Sequence, residues 1–158
     1  MSKITGRRGL IVAVGFTILL AGCEDDAAKP YVEFVGGGFI FNYRTANHYY
    51  GFVVRQKKPL PEGSKLEAHF EVPGGAPEQV VEQAARPGQL QYVFQTGDLD
   101  GIVKGHPYKA SLRILDGTTG AEIAKYETSF KTDVDQSALP EDPLVVGPAY
   151  QKPALQPQ

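Results

Sequence analysis

Lys65-Leu66-Glu67-Ala68-His69-Phe70-Glu71-Val72 alternates apolar and polar residues without a break. Leu66, Ala68, Phe70 and Val72 fall on one face, and Lys65, Glu67, His69 and Glu71 on the other. Period two is the mark of a strand with one dry side and one wet side, and it sets the reading of the flanking sequence.

The same pattern recurs in both directions. Upstream, Tyr31 to Val35 predicts a first strand, which Gly36, Gly37 and Gly38 break before another over Phe39 to Arg44. A third runs from Tyr49 to Gln56. Downstream, Val80 and Val81 belong to a short segment, and Leu90 to Gln95 places Leu90, Tyr92 and Phe94 inward. Tyr108 to Leu115 puts Tyr108, Ala110, Leu112 and Ile114 on one face, and Glu122 to Phe130 follows a hairpin through Asp116 to Gly120. Only Glu78 to Ala85 admits a helical period. Seven or eight short strands in about a hundred residues predict an all-β domain over 31–135, an antiparallel sandwich, with a small barrel as the alternative.

The stretch from Leu99 through Gly101 and Pro107 to Tyr108, followed by Ala110, Leu112 and Ile114, resembles the tyrosine-corner region of immunoglobulin-like and fibronectin type III domains. The resemblance covers about 20 residues. It implies an immunoglobulin-like sandwich in which the Tyr108 hydroxyl bonds to upstream backbone. The chain has no Trp and cannot form an internal disulfide, so two usual core markers are missing.

Ahead of the domain, Leu20-Ala21-Gly22-Cys23 resembles the lipobox of bacterial lipoprotein precursors. Lys3, Arg7 and Arg8 form a basic segment, and Gly9 to Leu20 is an uncharged, mostly apolar run. That run is about a dozen residues, short of the roughly 20 needed to span a bilayer, and Glu24, Asp25 and Asp26 end it. The resemblance implies a signal peptide over 1–22, cleavage between Gly22 and Cys23, and lipid on Cys23. Residues 23–30 then serve as a tether reaching about 25 Å at most. Arg7 and Arg8 leave general and twin-arginine export open. The expected location is the cell envelope, on the inner or outer membrane and facing the periplasm. Cys23 is the sole cysteine, so the mature fold stands on its apolar core.

Charge narrows the partners. Without residues 1–22 the chain keeps 13 basic and 18 acidic side chains, a balance of −5 that argues against nucleic acid and against electrostatic docking on anionic lipid.

Candidate chemistry is sparse. Asp98, Asp100 and Gly101 match the start of a calcium loop, but the further ligands and the distal Glu are absent. A turn in which Asp bonds its own backbone is the expectation. His48, His69 and His106 are scattered without ligand spacing, and His69 falls on a polar strand face as a solvated imidazole. Ser64, Ser111, Ser129 and Ser137 lack a nucleophile elbow. Gly36 to Gly38 lacks the Lys and the following helix of a phosphate loop and reads as a bulge or turn. No catalytic residue, metal site or cofactor is assigned.

Two stretches read as interaction surface. In the aromatic cluster of Phe39, Phe41, Tyr43, Tyr49, Tyr50 and Phe52, alternation buries about half and leaves Tyr43, Tyr49 and Tyr50 as partner candidates. In the Pro-rich extended tail over 136–158, Leu144, Val145, Val146 and Tyr150 form an apolar island that packs on the domain or adds a strand to another protein. The expected function is a non-enzymatic, membrane-anchored binding or structural module whose partner is another envelope protein. A carbohydrate or small-ligand binder is the alternative, and an envelope hydrolase the third reading.

Overall fold

The computed structural model describes residues 29–140 and 142–145. Residues 1–28, which hold the expected signal peptide, Gly22, Cys23 and most of the expected tether, lie outside the described residues, as do Val146 and Tyr150.

Among the described residues seven strands carry the fold: β1 (Val32–Asn42), β2 (Asn47–Gln56), β3 (Lys65–Phe70), β4 (Gln79–Ala84), β5 (Gln91–Gln95), β6 (Tyr108–Leu115) and β7 (Glu122–Phe130). They form a three-stranded sheet, β1-β2-β5, and a four-stranded sheet, β4-β3-β6-β7, with every neighbouring pair antiparallel. The described chain is thus an antiparallel β-sandwich. Its fourth strand pairs with the third instead of joining the first sheet, unlike the ABED arrangement of immunoglobulin constant domains.

Alternation in β3 and β6 is realised as read: Leu66, Ala68, Phe70, Leu112 and Ile114 are buried, while the residues between them face outward. The glycine run does not break the chain into two strands. β1 continues through it, with one irregularity between Phe34 and Gly36, because Gly36, Gly37 and Gly38 stay in register with Val53, Phe52 and Gly51. Pairing outweighs the low strand propensity of glycine here. In the three-stranded sheet two glycines are required by close approach. A Cβ on Gly37 would lie 2.5 Å from the Phe130 ring, and one on Gly51 would collide with the Phe94 carbonyl oxygen. The Glu78 to Ala85 stretch is strand β4, since cross-strand bonding to β3 overrides the weak helical period. Leu90 lies before β5 and is 67 % exposed, so it does not join Tyr92 and Phe94 inside.

Aromatic rings take the place of a Trp and disulfide. Phe39 stacks on Tyr50 with centroids 4.8 Å apart, Tyr50 meets Phe70 edge-on, and Phe52 packs on Phe70 at 5.2 Å. Each fully buried ring of this size contributes roughly 2–3 kcal/mol of burial. The resemblance at Tyr108 holds geometrically: its hydroxyl accepts the Val103 N–H at 2.8 Å, and Leu99 and Ile102 of the preceding loop are buried.

Antiparallel order gives the domain two poles. The chain enters at Tyr31, beside the loops over 57–64, 85–90 and 116–121. The β1–β2 hairpin over 43–46, the loops over 71–78 and 96–107, and the segment after Phe130 gather at the opposite pole.

Candidate functional site

The two outer faces of the sandwich have opposite chemistry. On the four-stranded sheet, β3 and β6 turn Glu67, His69, Lys109, Ser111 and Arg113 outward, and β7 adds Lys125 and Glu127. An open groove of about 740 Å³ runs across these residues, floored in part by Ser111 and Ser129. Arg113, Lys125 and His69 have carboxylate partners there. Arg113 Nη1 lies 2.8 Å from Glu67 and its Nε 2.8 Å from Glu122; Lys125 pairs with Glu127 at 2.6 Å. His69 is not the solvated imidazole expected. It is half-buried, with Nε2 2.5 Å from Glu67 and Nδ1 3.2 Å from Glu78. The hydrogen bond with His69 is the main cause holding the Glu67 carboxyl below the usual carboxylate range, and Arg113 adds to it.

On the three-stranded sheet the middle of the outer face is apolar, bounded by Gln95 on β5 and by the Glu33–Arg55 pair toward the Tyr31 pole. Register places Ile40 beside Tyr49, then Gly38 beside Gly51, then Gly36, Val53 and Val93 in one row. The glycines project nothing, so a trough of about 280 Å³ opens over bare backbone between walls made by Ile40, Val53 and Val93. Ile40 is 45 % and Val93 56 % exposed, and Val35 beside them is also exposed. An uncharged patch of this kind on a strand surface is the usual signature of a contact surface.

The expected partner residues divide. Tyr43 lies exposed at the tip of the β1–β2 hairpin, and Tyr49 is half-buried beside Ile40 on the apolar face. Leu144 is exposed and Val145 half-buried; the Val145 N–H donates to the Arg44 carbonyl at 3.1 Å, which brings this part of the tail to the same hairpin as Tyr43. Tyr50 is a correction. It is fully buried, because alternation from Tyr49 turns it inward, and its hydroxyl donates to the carbonyl oxygens of Glu71 at 2.8 Å and Lys109 at 3.1 Å. Burial, with Glu71 and Glu78 nearby, pushes that hydroxyl's pKa up, so it stays a donor. Val146 and Tyr150 lie outside the described residues.

The Asp98 turn differs from expectation as well. Its carboxylate accepts the His48 N–H and the Asn47 Nδ2, tying the loop to β2 and not to its own backbone. His48 is buried, with Nδ1 3.3 Å from Gln136 Nε2 and its Nε2 without a partner. Gln136, which no sequence pattern singles out, closes this pole: its Oε1 accepts the Ile102 N–H at 2.8 Å and its Nε2 reaches the Leu99 carbonyl at 3.3 Å. With Leu139 buried just beyond, the first part of the tail packs on its own domain. Only packing partners far apart in sequence reveal that role.

Among the described residues, no group of three or more His, Cys, Asp or Glu side chains is placed to hold a metal ion, and no helix is long and apolar enough to cross a membrane. Comparisons with protein-family models, with curated proteins and with solved structures give no match to this chain.

Proposed function

We propose that this protein is a non-enzymatic binding module of the bacterial envelope, held at a membrane by lipid on Cys23 and presenting its sandwich to another envelope protein. The observation that carries the reading is the asymmetry of the two faces. One sheet turns out a network of paired charges, whereas the other turns out a glycine-floored apolar trough. The trough suits an apolar or aromatic side chain from a protein partner, whose ring or methyl groups would cover exposed glycine backbone. Tyr43 and Leu144 border the same end of the domain and extend the contact toward the hairpin tip.

Anchoring raises the effective concentration of any partner in the same membrane, so a shallow contact suffices. A small polar ligand is the second reading, supported by the serine-floored groove of the four-stranded sheet. It is less favoured because Arg113 and Lys125 there already have carboxylate partners.

The test is membrane fractionation and intact mass of the wild type beside Cys23→Ala, with a photo-crosslinking residue at Val93 in each. A lipid mass on the wild type, a soluble or unprocessed Cys23→Ala and a discrete crosslinked neighbour support the reading. Equal behaviour of the two proteins would remove the anchor, and a crosslink that persists unchanged from a groove position such as Ser111 would move the contact to the charged face.

A further inference from the structure

Each sheet edge in a soluble fold needs a device that stops another strand from adding to it. Three edges here have one. β5 is five residues long, β4 carries Glu82 and follows Pro77, and β7 carries Lys125 and Glu127. β1 is different. It is eleven residues long, among the described residues it pairs with β2 alone, and from Phe34 to Asn42 it holds no charge and no proline. Val35, Gly36, Gly37 and Ile40 are exposed along it. The irregularity after Phe34 limits the regular edge to about the last seven residues.

We propose that this edge binds the same edge of a second copy of the chain, antiparallel, about a two-fold axis at Gly38. In that register Ile40 of one copy lies opposite Gly36 of the other, and Phe39 opposite Gly37, so each large side chain meets a residue with none. The faces agree: Ile40 and Gly36 both belong to the outer face, and Phe39 and Gly37 to the inner one. Ile40 of the second copy then covers the open end of the glycine trough. A pairing of a patch with itself closes after two copies, which limits the edge to a dimer.

Charge selects the antiparallel direction. Among the described residues, the loops at the Tyr31 pole hold four cations, Lys29, Lys57, Lys58 and Arg86, against Glu62 and Asp116. Loops and tail at the opposite pole hold seven carboxylates, with Asp98, Asp100, Asp133 and Asp135 among them, against Arg44, Lys104 and Lys131. Two antiparallel copies therefore set the basic pole of one beside the acidic pole of the other, whereas parallel copies would align like with like. The inference is independent of lipid on Cys23, and it joins two apolar faces into one six-stranded surface.

The test uses the purified full chain in detergent. Sedimentation equilibrium is expected to show a reversible dimer that Ile40→Lys weakens about tenfold or more, while Glu82→Lys, on an edge already charged, leaves it unchanged. Register is read separately by oxidation of Gly36→Cys combined with Ile40→Cys. A Cβ at Gly36 meets nothing within 4 Å, so this variant is expected to fold. Opposed Cβ atoms of a cross-strand pair lie about 4.5–5.5 Å apart, close enough for a disulfide after small adjustment. The double variant should yield covalent dimer and each single variant none above wild type, since like positions are about four residues apart along the paired strands. A wild type that stays monomeric at every concentration, a dimer indifferent to Ile40→Lys, or equal crosslinking by the single variants would overturn the proposal.

Discussion

Tyr108 Oη accepts the Val103 N–H at 2.8 Å, five residues upstream, and so pins the loop between β5 and β6 to the start of a central strand. Phe in place of Tyr108 keeps the ring and leaves a partly buried N–H without its acceptor. Tyr108→Phe is expected to cost about 1–2 kcal/mol, read as a lower urea midpoint with an unchanged slope.

Glycine 37 separates overpacking from backbone effects. Gly37→Ala drives a methyl against the Phe130 ring, and we expect a loss of about 1–3 kcal/mol. The methyl also comes within 2.8 Å of the Gly51 carbonyl oxygen, so Phe130→Leu should restore only the share of the loss that comes from the ring. Gly51→Ala meets the Phe94 carbonyl, which cannot give way, so the same second change should not rescue it. Thermal unfolding of the four variants checks both statements.

The acid side of the stability curve should depend on Glu67. Its folded pKa is depressed, mainly by the hydrogen bond with His69, so its contribution is fully present above the ordinary carboxylate range and disappears as pH falls through the lower folded value. Glu67→Gln is expected to lower stability by about 1 kcal/mol at neutral pH and to flatten the acid decline. Urea midpoints measured from neutral pH downward would show the two curves converging; parallel curves would contradict the assignment.

Removing the Gln136 amide should loosen the far pole. Gln136→Ala frees the Ile102 N–H and the Leu99 carbonyl from their partner, and about 1–2 kcal/mol of stability should go with it. Limited proteolysis is expected to cut the chain beyond Asp135 sooner than in wild type, before the sandwich itself unfolds.

Strand positions were legible wherever one face is wet and one dry. Lys65 to Phe70 and Tyr108 to Leu115 announce themselves because alternation and burial have the same period. Gly36 to Gly38 misled, since local propensity says nothing of a neighbouring strand or of the Phe130 ring that needs the space. In the sequence Tyr50 looks like surface because a run of aromatics signals contact without saying which side each ring takes, whereas β2 register turns it inward. The apolar trough was invisible for another reason: it is made from absent side chains on two strands, and only their pairing sets Gly38 beside Gly51. Gln136 and Asp98 act through partners 34 to 88 residues away, a separation no local pattern encodes.

Entry at one pole and exit at the other also gives the domain a mechanical character. β1, the first strand, and β7, the last, lie in different sheets, and a pull between Tyr31 and the segment after Phe130 runs along the strand axes. Tension in that direction loads the β1–β2 ladder in shear, with its hydrogen bonds sharing the force instead of unzipping singly. Resistance to such a pull is a rate of rupture and not an equilibrium stability, so a domain of modest folding energy can still hold a load for a long time.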